Sequence, residues 1–508
     1  MESPFDENGD WSGGFAVRRS FIDFILPEVI PEDEARFTLA PRFYDYQAAV
    51  AWRPNAANTL QMFAVGADDR LGLVSDETEE DAPTADQAFD VISWFHRPIF
   101  SWTLTPSADI NNRLGISPNY QEVEVEIFNN RFFRLTIQQI DLRDDLTIDL
   151  ADWNTLGIGF DASYNDVDLE TDLIRPPKEG DPGSADIFNE QSLLFDEAMI
   201  FIGGNAYLED QFKFGRALVL TPGARIFWGQ ANFPESDTDS FSETYVDPRF
   251  FARVNVTDRA ALKGGVGIYH QVPEADEMIE PYGTPKVESE RAVSYNGGVE
   301  YRFDEGYSLD AQGYYKRLDS LVARTGADEE EPYDNAGIGR IYGAELLVRK
   351  ELTDRLYGWL SYTFTVSERR DRPGEDWRYF DQDQRHNAII LASYRIGELW
   401  RVGAKFQYAT GLPYTDVETA IYNADTDSYI PVYSEDVNEQ RMADFHQLDI
   451  RGDKLWRFSG WTLNTYLDIQ NVYAKRQPVG FIYNADYTEK REVSFPSFYP
   501  TLGLQARW

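Results

Sequence analysis

Four histidines, His96, His270, His386 and His446, are the only side chains of this 508-residue chain whose ordinary titration range spans neutral pH. They are scattered, and none has the spacing of a metal-binding pair such as HExxH, so the pattern predicts structural roles for all four. There is no GxSxG elbow and no phosphate-cradling loop. A Ser, a His and an Asp could still meet at one rim of a fold, but no spacing points to that. Cysteine is absent, which excludes disulfides, zinc–thiolate sites and iron–sulfur clusters. These residues argue against an enzyme, and they assign no catalytic residue, no cofactor and no metal site. Two acidic runs, Asp76-Glu77-Thr78-Glu79-Glu80-Asp81 and Asp328-Glu329-Glu330-Glu331, read as solvated surface. Their functional alternative is binding of divalent cations through hard carboxylate oxygens. A net charge of −40 excludes duplex nucleic acid as a natural partner.

The elements that carry these residues repeat with period two. Trp461, Leu463, Leu467 and Ile469 alternate with Thr462, Asn464, Tyr466, Asp468 and Gln470. Val402, Ala404, Phe406 and Tyr408 alternate with Arg401, Gly403, Lys405 and Gln407. Tyr307, Leu309, Ala311, Gly313 and Tyr315 alternate with Ser308, Asp310, Gln312, Tyr314 and Lys316. Roughly twenty such segments are present, with no 40-residue repeat of the propeller kind. Aromatic residues make up 15% of the chain, yet mean hydropathy is −0.48, and no run of 18 apolar residues exists. Transmembrane helices are therefore excluded, whereas a barrel strand needs an apolar residue only at every second position.

Connections alternate in length. Pro54-Asn55-Ala56-Ala57, Thr257-Asp258, Asp304-Glu305-Gly306, Thr353-Asp354, Gly397-Glu398 and Phe458-Ser459-Gly460 are tight. Between them lie long polar stretches near 75–88, 170–194, 229–241, 272–290, 325–336, 367–385, 410–441 and 474–495. Short turns at one end and long loops at the other are the asymmetry of outer-membrane barrels. With the first strand near 12–25 and the last over 496–508, both termini are expected on the periplasmic side, and the strand count is expected to be even. Arg401, Lys405, Arg451, Asp453 and Asp468 are expected to face the lumen. The last strand places Leu502, Leu504, Ala506 and Trp508 on one face, which resembles the terminal signal read by the barrel-assembly machinery.

The last 130 residues resemble TonB-dependent receptors. The resemblance is carried in order by Asp381-Gln382-Asp383-Gln384-Arg385-His386, Gly411-Leu412-Pro413-Tyr414-Thr415, His446-Gln447-Leu448-Asp449-Ile450-Arg451 and Leu467-Asp468-Ile469-Gln470-Asn471-Val472-Tyr473. From about 10 to 370 it is one of pattern, with Arg18-Arg19-Ser20 and Phe43-Tyr44-Asp45-Tyr46 included. The resemblance implies an all-β transmembrane antiparallel barrel of 22 strands, of which about 20 are expected here, with residues 1–508 forming one barrel domain. It also implies an N-terminal plug and a TonB box. The chain opens on a barrel strand without a basic, apolar leader, so leader, TonB box, plug and two strands are expected upstream. The implied function is energised uptake of a scarce nutrient: a siderophore, cobalamin, a glycan or a peptide. The implied partners are that small-molecule or peptide substrate, the TonB complex, outer-membrane lipid and lipopolysaccharide, and the assembly machinery. Cations held by the acidic runs could bridge to lipopolysaccharide phosphates or belong to the ligand. The alternatives are a plugless passive porin and a structural or adhesive barrel.

Overall fold

The computed structural model describes residues 3–4, 9–21, 36–75, 87–127, 131–174, 192–234, 240–280, 283–325, 332–353, 355–424, 428–484, 486–495 and 498–507. One antiparallel sheet dominates it. Its long strands are β1 (Trp11–Arg19), β2 (Arg36–Asn55), β3 (Asn58–Ser75), β4 (Gln87–Ser107), β5 (Ile110–Ile127), β6 (Arg131–Ala151) and β7 (Asn154–Ile174). They continue as β8 (Ser192–Phe214), β9 (Leu218–Asn232), β10 (Phe241–Asn255), β11 (Ala260–Gln271), β12 (Glu290–Arg302), β13 (Tyr307–Arg324) and β14 (Tyr333–Lys350). The series ends with β15 (Leu356–Arg370), β16 (His386–Ile396), β17 (Trp400–Ala409), β18 (Phe445–Phe458), β19 (Trp461–Gln470) and β20 (Tyr499–Arg507). Each pairs with its sequence neighbours, a pure meander. Two-residue strands Ser3–Pro4 and Arg378–Tyr379 add to β1 and β15. Among the described residues, no register joins β20 back to β1, so the wall has a seam there.

Alternation sorts every strand into two faces. The register aligns Trp11 with Trp52, Trp52 with Leu60, and Leu60 with Trp102, all on the outer face. Val50, Met62, Phe100, Ile116, Val299, Ile390 and Ile450 continue that face as an exposed apolar band. Tryptophans and tyrosines gather at both of its edges, the positions where their amphipathic rings are favoured. Along one strand, Tyr307 and Tyr315 mark the two edges. At the level of that band, the inner face carries the charge. No helix is long and apolar enough to cross a membrane.

Turns at one end are short, as at Glu305 (φ 60°) and Gly306 (φ 76°). Two successive left-handed residues suit the twist of a tight hairpin. At the other end the connections fold into small structures of their own. Residues 272–289 include a helix, α1 (Ala275–Met278), whose first turn is closed by reciprocal bonds between Glu274 and Glu277. Met278, Ile279 and Val287 of this stretch bury against Phe233, Phe241 and Tyr333. Hairpins Val417–Asn423/Ser428–Tyr433 and Gln477–Tyr483/Lys490–Phe495 rise from two other connections. The long polar stretches near 272–290, 410–441 and 474–495 thus carry small structures of their own. Burying each large side chain of that apolar cluster contributes about 1.5–3 kcal/mol, which offsets the ordering of the connection.

Candidate functional site: the inner wall and its rim

The inner face is a ladder of charge-assisted bonds that run across strands. On β4–β7, Arg97 donates to Asp141 (2.7 Å) and Ser117 (2.9 Å), and Ser163 donates to the same Asp141 (2.9 Å). Arg143 chelates Asp145, which also accepts from Tyr207 of β8 at 2.6 Å. Glu300 of β12 takes Arg253 of β10 at 2.7 Å and Lys263 of β11 at 3.2 Å, and Lys263 reaches Asp310 of β13 at 2.5 Å. The five inner-wall charges expected from the sequence all lie on this face. Lys405 pairs with Asp449 (3.0 Å), and Arg451 with Asp453 (3.0 Å) and Asp468 (3.6 Å). Arg401 stands opposite Asp453 in register. The Arg451 guanidinium also lies 3.8 Å from the Tyr466 ring centroid. A wall braced this way presents a fixed polar surface to whatever fills or crosses it.

The rim at the long-connection end is tied by the motif residues. Asp383 is 1% exposed and accepts from the Ser367 backbone N–H (2.8 Å) and from the Arg441 guanidinium. Arg385 approaches it at 3.5 Å. Arg441 donates to the Gly411 carbonyl (3.1 Å) as well, so one side chain joins two connections. Gly411 must be glycine, because a Cβ there would fall 1.8 Å from the Met442 carbonyl oxygen. Arg385 and Arg441 stack on Tyr379 at 4.8 and 5.3 Å.

A second tie joins the two hairpin-bearing connections. Lys490 donates to Asp416 (2.8 Å) and the Tyr414 hydroxyl (2.9 Å), with its ammonium 4.0 Å from the Phe481 ring centroid. Burial pushes the Asp416 carboxyl up, but Lys490 and the Tyr483 hydroxyl together hold it below the usual carboxylate range. Burial pushes Lys490 down, and its bonds to Asp416 and Tyr414 outweigh that and raise it. The sequence signalled neither tie as such. Tyr414 and Asp383 lay in recognised motifs, but their partners are far along the chain.

The histidines lie apart. His96, His386 and His446 each contact a tyrosine hydroxyl, of Tyr46, Tyr362 and Tyr473 respectively. His270 contacts Asp247 at 2.7 Å. Among the described residues, no group of three or more His, Asp or Glu is arranged to hold a metal ion. Both acidic runs, 76–81 and 328–331, lie outside the described residues. On β20, Leu502 (76% exposed) and Leu504 (71%) face outward with Ala506, opposite Leu467, Thr465 and Leu463. Trp508 lies outside the described residues.

A family model, "TonB dependent receptor-like, beta-barrel", matches residues 30–472. No curated protein matches the chain. Among solved structures, the chain is similar to FpvA of P. aeruginosa bound to heterologous pyoverdines. The two share 11% identity over 100% of this chain and 69% of that one, with a TM-score of 0.73. It is also similar to the siderophore receptor PiuA from Acinetobacter baumannii, with 12% identity over 99% and 78% of the two chains and a TM-score of 0.71. A third likeness is to the copper transporter OprC, at 14% identity, 98% and 75% coverage and a TM-score of 0.66. At these identities the structural likeness shows the shared fold.

Proposed function

Because the chain belongs to the TonB-dependent receptor-like β-barrel family, we propose that it forms the outer-membrane wall through which a small, scarce metal chelate is imported at TonB's expense of energy. The family consists of outer-membrane receptors and transporters, not enzymes. The match of the family model across residues 30–472 is the observation that carries this reading. It disfavours the passive porin and the structural or adhesive barrel. Among the nutrients considered, a siderophore-like chelate leads over cobalamin, a glycan or a peptide, because the receptors of like fold are named for siderophores and copper.

Residues 1–508 act as the barrel domain, and a plug fills the lumen, from the same polypeptide or a separate one. The braced inner wall supports this, since a lumen bounded by about 20 strands is wide and is normally filled. The long connections face the medium and both termini the periplasm, because β1 begins and β20 ends at the short-turn end. Leu502, Leu504, Ala506 and Trp508 are the terminal signal for the assembly machinery, and the outer face meets outer-membrane lipid and lipopolysaccharide.

Radiolabelled ferric-siderophore uptake tests the transport reading. A deletion strain should lose TonB-dependent uptake and regain it with the gene. Uptake that persists without TonB, or never depended on the gene, would overturn the reading. An epitope inserted after Ala424 tests orientation separately, and should be detected on intact cells. Intact mass and co-purification from native membranes test the plug. A mass near 58.3 kDa with no associated chain would remove it.

A further inference from the structure

The outer face turns basic just beyond the tyrosines that close its apolar band. On β12–β14 the register aligns Tyr295, Tyr315 and Tyr342 in one row. The next row toward the long-connection end places Arg317 beside Arg340, with Glu368 opposite Arg340 on β15. The row beyond brings Arg291 opposite Asp319, and Arg370 opposite Ile338. Period-two alternation keeps all of them on the tyrosines' face. Among the described residues, four guanidiniums thus stand beside two carboxylates. Arg317, with its side chain 67% exposed, lies 2.9 Å from Asp319, and Arg291 approaches the same carboxylate at 3.6 Å. Arg340 holds Glu368 at 2.5 Å. Arg370 takes part in no ion pair among the described residues, and its Nε is buried without a hydrogen-bond partner.

The side chain of Trp377 orders the patch. The Arg340 and Arg370 guanidiniums lie 4.4 and 4.6 Å from its ring centroid. Stacking fixes the planes of two forked cations that would otherwise repel each other. In a chain of net charge −40, cations outnumber acids among the described residues of this patch. By contrast, Arg134 on the same face is held by two acids, Glu124 at 2.8 Å and Glu170 at 2.7 Å. The stacked arrangement recurs across the wall, where Arg19 and Arg42 lie 5.3 and 5.2 Å from the Tyr44 ring centroid. There too the Arg42 Nε is buried without a partner.

We propose that Arg317, Arg340 and Arg370, ordered by Trp377, bind the phosphate of an outer-leaflet glycolipid headgroup. Guanidinium forks match phosphate oxygens two at a time, and Arg is the side chain suited to that geometry. The interfacial tyrosines one row below set the depth, since they sit where acyl chains give way to headgroups. A free phosphate ion would need no such apolar floor, so the site commits to lipid. The proposal rests on the orientation given above, with the long connections outside.

Binding to the purified full chain in detergent micelles decides it, read by native mass spectrometry. Diphosphorylated lipid A should bind saturably, and lipid A stripped of phosphate should bind far more weakly. Arg317→Gln with Arg370→Gln should weaken binding of the phosphorylated lipid roughly tenfold, a modest return for two charge-assisted contacts. Arg317→Lys with Arg370→Lys, which keeps charge and loses the fork, should fall between. Arg457→Gln removes a charge at the short-turn end, beside Glu398, and should change nothing. A heat-dependent gel shift retained by every variant shows that each is folded. Equal affinity of the Gln variant and the parent would overturn the proposal, as would indifference to the lipid's phosphates. Full displacement by millimolar inorganic phosphate would overturn the assignment to lipid. None of these outcomes touches the uptake assay or the epitope experiment, so the transport reading and the orientation stand or fall apart from this site.

Discussion

At the scale of single residues, the rim depends on Asp383. Its carboxylate has no solvent to turn to, so Arg441 satisfies a charge that would otherwise be stranded. Arg441→Met should destabilise the rim by about 3–5 kcal/mol, the usual cost of breaking a buried pair from one side. Limited proteolysis should then cut within 410–444 while the barrel keeps its heat-dependent gel mobility. An uncut rim would show that Arg385 alone suffices. The Asp416–Lys490 tie makes a pH prediction. Asp416 is lowered in the folded protein, so its contribution is present above the unfolded carboxylate value and is lost as pH falls through the folded one. Lys490 is raised, so its contribution is present below the unfolded lysine value and is lost as pH rises through the folded one. The tie should therefore hold from about pH 4 to about pH 10. The chain has no cysteine, so spin labels on cysteines introduced at Glu435 and Glu489 would report only this distance. The distance should stay constant from neutral pH to mild acid, and Lys490→Gln should lengthen it at neutral pH.

At the scale of elements, β20 is the strand with most to lose. Its outward Leu502 and Leu504 are far more exposed than the apolar residues of strands inside the wall, because a neighbour covers β20 on one side only among the described residues. Leu502→Arg should cost about 2–4 kcal/mol if the side chain sits near the bilayer midplane. Surface levels should drop accordingly, read by antibody labelling of intact cells. Deleting Trp508 should impair assembly more than stability, so the mutant should accumulate unassembled while any assembled fraction keeps its normal melting behaviour. Wild-type surface levels for that deletion would remove Trp508 from the assembly signal.

At the scale of the whole molecule, the neighbour-to-neighbour meander satisfies the backbone of every interior strand, the condition for crossing lipid without helices. The purified protein should need detergent, give an almost purely β circular dichroism spectrum, and migrate faster on a gel before boiling than after. A soluble, helical product would contradict the fold. The inner ladder makes a further prediction at this scale. Lys263 of β11 bridges Glu300 on β12 and Asp310 on β13, so Lys263→Met leaves Asp310 without its cation and opposite Glu300, which keeps Arg253. The boiling temperature needed for the gel shift should fall, and it should recover in part when Asp310→Asn is added.

The sequence by itself determined the class of the molecule, because the constraint is local to each strand. One face meets lipid and the other meets water, so Val402, Phe406 and Leu467 had to alternate with Arg401, Lys405 and Asp468, and period two was legible wherever a strand ran. The contrast between Asp304-Glu305-Gly306 and the stretch 410–441 likewise revealed which end is trimmed and which elaborated. Tertiary structure decided what those charges do. Lys263 meets Asp310, and Asp383 meets Arg441, only because register and connection geometry bring together residues about 50 positions apart. Polarity alone does not encode such pairings, since any neighbouring acid would serve. The small apolar core of the rim was hidden for a related reason. Phe233, Phe241, Met278, Ile279, Val287 and Tyr333 come from separate connections, each too sparse in apolar residues to show a period. Only their convergence in space turns three polar-looking stretches into a folded rim.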